Sequence, residues 1–339
     1  MKAFVLTAGI GSRLRPYTEF LPKPALPLLN IPIVYYSCYL LKQSGVDKML
    51  FNLHHLPDAM KDCVEALPLQ NSEISFSYEK EKILGGAGGL CHAWSGEFEK
   101  EDSIIYVNGD EIFFPKDPAI IKKLNDNRIE TGALASILVK DHPGLGDQFG
   151  AVWIDDNSNV MGFGKNPPTN ITAPHYSGSK LTPKHFTGYI SLDPSIIDEL
   201  SVDEPNLFYD TFTKLINHKE LVSGINVLNC EGDWFEVGNA NDFIKASKEV
   251  CELLQSGHPY LDSLFESFGQ NGLHQITQSE KALIFKHPDT QLPQNIEFEG
   301  FVSLSQDFNL SGVTYVKDSV LVSQKADKPL ESYDSKIVL

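Results

Sequence analysis

"LTAGIGSRLRPYTEFLPKPALP", Leu6 to Pro27, follows directly on the short apolar run "KAFV", and that order decides the fold. An apolar run ending in a glycine-rich turn reads as the first strand of an α/β sheet. Its loop can bring backbone N–H groups close to a phosphate. Arg13, Arg15 and Lys23 gather here with only Glu19 in opposition, in a chain that carries 45 Asp and Glu against 28 Lys and Arg and a net charge of −17. Such a local reversal of charge points to an anionic ligand. Arg13 can fork two hydrogen bonds onto phosphate oxygens. The prolines on both sides of Lys23 predict an extended backbone that aims its ammonium group. The turn is not a Walker A loop, because it lacks the GK[ST] ending. Nor is it GxGxxG, because Ser12, Arg13 and Leu14 follow Gly11.

Composition narrows the function classes. At 339 residues, 42% hydrophobic and 22% charged, the chain can fill a large core and a smaller second unit. The acidic balance disfavours a nucleic-acid backbone or an anionic membrane, since both require Lys and Arg over a broad face. Five scattered cysteines (38, 63, 91, 230 and 251), never spaced as CxxC, argue against a disulfide framework and a zinc knuckle, and make a cytoplasmic location the expectation. The apolar run Ala3 to Leu6 is too short for a secretory signal. No stretch has the length of a membrane span, the best being "IPIVYYSCYLL".

Outward from the opening, apolar runs alternate with amphipathic ones. "PIVYYSCYLLKQSG" reads as a helix with Pro32 at its first turn and Gly45 just past its end. "DKMLFNLH" and "ISFSYE" read as strands, "LGGAGG" as a turn opening a helix, and "SIIYVNGDE" as a strand broken at Asn108–Gly109–Asp110. From about Gly132, "GALASILVK", "GAVWID", "VMGFG" and "FTGYISLD" are strands joined by turns, an antiparallel extension suited to a substrate pocket. Helical runs return at "SIIDEL" and "LFYDTFTKLINHK", then a strand at "VSGINVLN" and a long helix over Ala240 to Gln255. The expectation is a Rossmann-like mixed sheet with helices on both faces over residues 1–256, followed by a small β-rich domain over 257–339.

In that tail apolar residues recur every sixth position, as Ile296, Val302, Phe308, Thr314 and Val320, and in parallel as Phe298, Leu304, Leu310, Val316 and Val322. The repeat suits left-handed β-helix coils, and an ordinary β-meander is compatible with it as well. Association of chains through this domain is a further expectation.

The full signature G-x-G-[ST]-R-L-x-P-x-T-x-x-x-P-K-P-x-x-P, here Gly9 to Pro27, resembles the sugar-1-phosphate nucleotidyltransferases, or NDP-sugar pyrophosphorylases. The nearest branches are the mannose-1-phosphate guanylyltransferase-like and MurNAc-1-phosphate uridylyltransferase-like ones. "LGGAGGL", "VNGD", "FGAV", "FTGY" and "DWFEVGNANDF" resemble further family segments, so the likeness covers about residues 1–250. It implies a Mg2+-dependent reaction of a nucleoside triphosphate with a sugar 1-phosphate, giving an NDP-sugar and pyrophosphate. The attacking phosphate oxygen is already largely anionic near pH 7, its second pKa being about 6, so no general base is needed. The obstacle is repulsion between two anions, which positioning and charge neutralisation overcome.

Residue roles follow from the resemblance. Arg13 and Lys23 would hold the triphosphate and the departing pyrophosphate, with Ala8, Gly9, Gly11 and Ser12 forming the nucleotide loop and Gly88 letting the base approach. Gly150, Thr187 and Gly188 would line the sugar pocket, and Lys165 would serve the sugar phosphate. Asp110 and Glu236 would be the metal ligands. Two positions depart from the family: Glu236 stands where Asp is usual, and "FGKNP" replaces the usual FxEKP, which removes an acidic sugar contact. His54, His55 and His142 lack metal-site spacing and read as solvated or core-edge residues. A non-catalytic NDP-sugar sensor with the same fold is the competing class. A dinucleotide oxidoreductase is excluded by the missing fingerprint.

Overall fold

The structure, a computed structural model, describes residues 1–97, 103–169, 171, 173, 176, 178, 180–217, 224–269, 273–306, 308–322, 330 and 332–338. Its centre is a nine-stranded mixed sheet. Strand Lys2–Leu6 lies in the middle, parallel to Lys48–Leu53 on one side and to Ile104–Asn108 on the other, with Glu73–Tyr78 at the edge. The chain therefore fills one side of the first strand before returning to the other. That reversal opens a crevice at the carboxyl ends of Lys2–Leu6 and Ile104–Asn108. Beyond Ile104–Asn108 the long strand Thr182–Leu192 runs antiparallel. It divides between Ala135–Lys140 and Ala151–Ile154, and its register breaks between Phe186 and Ile190. Ile225–Asn229 closes that side, parallel to Ala135–Lys140.

The strands are apolar almost throughout because helices cover both faces. Ala3 and Val5 pack on one face with helices Ile33–Gln43, Pro57–Glu65 and Ala240–Gln255. Phe4 packs on the other with helix Gly85–Glu97 and with Phe212 and Leu215. Adjacent strand residues thus send their side chains to opposite cores. The expected α/β class, the helix ending just before Gly45 and the helix Ala240–Gln255 all stand as read from the sequence. "SIIDEL" instead forms a 3-10 turn, Pro194–Glu199. "LFYDTF" winds as a π-helix over Leu207–Phe212 before one α-turn, with Asn206 accepting from the N–H groups of Phe208 and Tyr209. The rest of "LFYDTFTKLINHK" and the start of "VSGINVLN" fall on residues 218–223, outside the described residues.

After the short helix Pro259–Ser267 the tail folds into a second sheet. Its strands Ala282–Lys286, Glu297–Leu304 and Tyr315–Leu321 pair in parallel. Ala282 faces Gly300 and Glu297 faces Tyr315, so one coil takes three hexads of sequence. Parallel stacking rules out a β-meander, whose neighbours would be antiparallel. The coil bends at stacked left-handed corners, Gly300 (φ 65°), Asp318 (φ 40°) and Ser335 (φ 51°), where Asp318 Oδ1 accepts from the Phe301 N–H at 3.0 Å. The hexad phase slips there. Val313 and Leu321, rather than Thr314 and Val320, fill the coil interior, because the register changes between Glu299 and Val302.

Val320, together with Phe301 and Ile337, joins the core of the large sheet, and the coil strands pack on helix Ala240–Gln255. Removing residues 290–339 strips those three side chains from that core. Each is worth about 1.5–3 kcal/mol when buried. The expected result is a Tm lowered by about 10 °C or more with nucleoside triphosphate affinity little changed. Calorimetric melting and titration of the truncated chain check both, and size-exclusion chromatography checks whether association changes too.

Candidate active site

The crevice at the sheet's carboxyl edge is built by the opening stretch. Gly11 takes a left-handed conformation (φ 64°), and a single 3-10 turn, Ser12–Leu14, follows it. A Cβ at Gly11 would lie 2.8 Å from Thr18 Cγ2 and 3.1 Å from Lys23 Cβ, so the loop folds tightly back on its own proline-rich end. Pro22 is extended, but Lys23 itself opens a third 3-10 turn, Lys23–Ala25, after Ser12–Leu14 and Tyr17–Glu19, rather than continuing an extended course. The turn aims its ammonium at the end of strand Ile104–Asn108, where Nζ donates to Asp110 Oδ2 at 2.7 Å. The Lys23 side chain is 12% exposed. Burial works to lower its pKa, but Asp110, with Glu111 and Glu236 beyond it, overrides that and raises it above the usual lysine value.

Two separate cavities are lined by this loop and its surroundings, one at Gly11 and one at Arg13. A cleft of about 240 Å³ is lined by Ala8, Gly9, Gly11, Lys23, Asp110 and, on its far wall, Asn52, Ile83, Gly85 and Gly86. A wider one of about 700 Å³ is lined by Arg13, Glu236, His142, Gln148, Phe149, Gly150 and Trp234, and by Asp242 and Lys245 of the long helix. Arg13 and Glu236 face each other across Gly238. A Cβ there would lie 2.1 Å from Glu236 Oε1 and 2.9 Å from Arg13 Nη1. Helix Ala240–Gln255 begins two residues later, its first turn held by Asn239 Oδ1, which accepts from the Asp242 N–H at 3.1 Å.

The residues singled out in the sequence therefore divide. Ala8, Gly9, Gly11, Lys23 and Asp110 share the narrow cleft, while Arg13, Glu236 and Gly150 share the wide cavity. Ser12 is exposed beside them and Arg15 is exposed on the same loop. Gly88 lies outside the narrow cleft, on the next turn of its helix, where a Cβ would meet Val202 O at 3.0 Å. Gly85 and Gly86 hold the cleft wall instead, because they open helix Gly85–Glu97. Thr187 is fully buried, its hydroxyl donating to Leu138 O at 3.0 Å, so it supports the wall without lining it. Lys165 is exposed and donates to Asp147 O, which ties it to the loop before Gly150 rather than to the cavity. Gly188 (φ 98°) leaves room for Glu111: a Cβ would come within 2.4 Å of Glu111 Cγ.

Several functional groups were not legible in the sequence. Asn52 Oδ1 accepts from the Thr7 N–H at 2.7 Å. Its Nδ2 donates at 2.7 Å to Glu79, whose other oxygen accepts from the Leu84 N–H. This buried relay fixes the cleft wall relative to the first strand, and "LGGAGG" carried a trace of it, since a Cβ at Gly89 would lie 2.7 Å from Glu79 Oε1. Gly86 is as tightly held, its Cβ position lying 2.0 Å from the Tyr106 hydroxyl. Gly86→Ala is expected to cost about 1–3 kcal/mol of stability through overpacking and to raise KM for the nucleotide more than for its co-substrate. Chemical denaturation and two-substrate kinetics check this.

His142 is half-buried, as a core-edge residue is, and its ring belongs to the wall of the wide cavity. The loop from His142 to Phe149 closes on itself, Phe149 N–H donating to Gly144 O and Gly146 N–H to Phe149 O, both at 3.0 Å. It presents His142 and Phe149 edge-on to Trp234, with ring centroids 5.6 and 5.4 Å away, and His185 stands behind at 4.2 Å. Burial first, then the nearby His142 and Lys140, push His185 down to about 4, so this wall is uncharged at neutral pH. His54 and His55 are tied to backbone carbonyls, with ring nitrogens 2.7 Å from Glu79 O and 2.6 Å from Thr18 O respectively. All five cysteines are free, and no described helix is long and apolar enough to cross a membrane.

A UTP–glucose-1-phosphate uridylyltransferase of Synechocystis sp. is 29% identical over 262 residues, covering 74% of this chain and 63% of that protein. A mannose-1-phosphate guanyltransferase of Debaryomyces hansenii is 28% identical over 265 residues, covering 76% and 67%. The chain thus spans about two thirds of the length of these relatives. The solved UDP-glucose pyrophosphorylase from Acinetobacter baumanii superposes with a TM-score of 0.58 at 17% identity, over 80% of this chain and 98% of that one, a likeness of fold. The family model described as nucleotidyl transferase matches residues 2–252, and with that match across its sheet and both cavities the chain belongs to the nucleotidyl transferase family.

Proposed function

We propose that the protein is a Mg2+-dependent sugar-1-phosphate nucleotidyltransferase, joining a nucleoside triphosphate to a sugar 1-phosphate with release of pyrophosphate. The observation that carries this is that one loop lines two cavities, with Gly11 and Lys23 in the narrow one and Arg13 in the wide one. A narrow cleft holds the Lys23–Asp110 pair, and a wide cavity opens at Arg13 and Glu236. Two anions brought there face two cations whose charges need no proton transfer to act. Lys23 and Arg13 neutralise the triphosphate and the departing pyrophosphate, while the wide cavity orients the sugar so that its phosphate oxygen attacks in line.

The donor set fits the metal. Asp110 contacts the Lys23 ammonium, and the charge of Glu236 also acts on it, which supports the two carboxylates serving one cationic region. Among the described residues there is no cluster of three or more ligating side chains. Mg2+ is commonly bound by one or two carboxylates together with substrate phosphates, which asks for no more than this pair. When bound, it supplies neutralisation of the phosphate oxygens. The longer Glu236 reaches the same region as Arg13, which supports its place in the pair.

GTP with mannose 1-phosphate is the first pair to test, in line with the sequence signature and with the guanyltransferase relative. UTP with another sugar 1-phosphate is the alternative, and the Synechocystis relative supports it. Free thiols at all five cysteines suit a reducing cytoplasm. The test is pyrophosphate release with GTP, UTP, dTTP, CTP and ATP crossed against mannose, glucose, N-acetylglucosamine and heptose 1-phosphates. Release from one pair supports the enzyme. NDP-sugar binding without release from any pair supports a sensor instead.

A further inference from the structure

Glu111 lines neither cavity, yet it is the group on which the sugar wall hangs. Its two carboxylate oxygens are both engaged, Oε1 accepting from Asn108 Nδ2 at 3.0 Å and Oε2 from Trp234 Nε1 at 2.8 Å. Gly188 closes the third side, since any Cβ there would collide with the Glu111 side chain. Burial, then Asp110, push the Glu111 carboxyl up to about 7 against the pull of those hydrogen bonds and of Lys23. A carboxylate in such a place is costly, and an apolar side chain would fill it more cheaply.

What that cost secures is the orientation of Trp234. The indole stands on strand Gly232–Phe235, which pairs with Ile112–Pro115, and it is the ring that His142, Phe149 and His185 all touch. Two residues further along the same chain is Glu236, and one residue before Glu111 is Asp110. The Glu111–Trp234 hydrogen bond therefore adds a side-chain tie, beside the ladder that pairs Ile112 with Phe235, between the segment carrying Asp110 and the aromatic wall of the wide cavity.

We propose that Glu111 is a positioning residue for the sugar 1-phosphate: by holding the Trp234 indole it sets the aromatic wall at a fixed offset from Asp110 and Glu236. The proposal rests on the nucleotidyl-transfer reading for its substrates. An apolar ring face packs against the C–H face of a pyranose, so a tilt of the indole displaces the sugar and its phosphate. The other partner of Glu111, Asn108, lines the narrow cleft, so the indole is the arm that acts on the sugar side alone.

The test is steady-state kinetics in both substrates for Glu111→Leu, Glu111→Gln, Trp234→Phe and the double variant Glu111→Leu/Trp234→Phe. Calorimetric titration with GDP-mannose, UDP-glucose and the free nucleoside diphosphates runs in parallel. Glu111→Leu removes both acceptors, and Trp234→Phe removes the donor while Glu111 stays. Trp234→Phe, which leaves Asn108 held, is expected to raise KM for the sugar 1-phosphate about tenfold with KM for the nucleotide within about twofold. Glu111→Leu, which also frees Asn108 in the narrow cleft, is expected to raise KM for the sugar 1-phosphate as much and KM for the nucleotide by less. Glu111→Gln keeps one carbonyl oxygen for the indole and restores most of the loss. The double variant is no worse than the more severe single one, because both cut the same link. An additive double variant, or an equal rise in nucleotide KM, overturns the proposal. Absence of wild-type turnover with every pair counts against the enzyme reading alone. In that case a selective loss of NDP-sugar over NDP affinity in Glu111→Leu and Trp234→Phe still supports the positioning role, and an equal loss of both refutes it.

Discussion

Asp110→Ala is expected to reduce turnover by at least about 10³-fold, the scale of removing a central electrostatic group from a preorganised site, with the fold retained. Asp110 sits just past the end of strand Ile104–Asn108, in the crevice where the sheet's strand order reverses. Its side chain is 35% exposed and forms an ion pair with Lys23, so few packing contacts are lost on truncation. On the proposed reading the loss falls on chemistry, since one of the two carboxylates assigned to the metal is gone and Lys23 loses its partner. Pyrophosphate release and thermal melting on the same sample check the claim. Wild-type rates in the variant would remove Asp110 from the site.

Lys23→Ala is expected to lower turnover about 10²–10³-fold and to raise KM for the nucleotide. Here stability should suffer as well. The ammonium is the cation that Asp110, Glu111 and Glu236 share, and without it three carboxylates are left to repel one another. Lys23→Arg would not restore the wild type, because a forked guanidinium does not fit where a compact ammonium meets one carboxylate oxygen. The sign of the pH effect follows from the raised pKa. The pair's contribution to stability is complete below the unfolded lysine value and is lost only as pH rises through the higher folded one. An alkaline limb in the rate profile below about pH 10 therefore belongs to another group. Two-substrate kinetics and urea melts across pH 6–11 measure both effects.

Local pattern carried much of this molecule. Residues 2–6 and the glycine turn after them placed the crevice, and the signals at Pro32 and Gly45 bounded one of the covering helices. The hexad spacing anticipated a coil, since three hexads separate Glu297 from its partner Tyr315. It failed at Asp318, where a left-handed corner shifts the phase by one residue and no periodicity can reveal it. Gly88, expected to let the base approach, lies outside the narrow cleft, and four glycines in "GGAGG" made the choice among them hard to read. Which one faces the cleft depends on where the helix begins, and Gly86 is the one against Tyr106.

The pieces that stayed invisible are long-range. Asn52 and Glu79 sit on neighbouring strands 27 positions apart, and Glu111 and Trp234 are 123 positions apart. Neither pair has a spacing that a chain scan could recognise, because register across a sheet brings them together rather than helical or strand period. Lys165 shows the converse. Its place beside the altered "FGKNP" suggested a phosphate contact, and its actual partner is the Asp147 carbonyl in the loop that forms the sugar wall.

The measurement that bears most directly on the account is pyrophosphate release by the purified chain with Mg2+, a nucleoside triphosphate and a sugar 1-phosphate, run beside Asp110→Ala and Lys23→Ala. The account predicts release from at least one pair, dependence on the metal, and loss in both variants. Binding of an NDP-sugar with no release from any pair would contradict it.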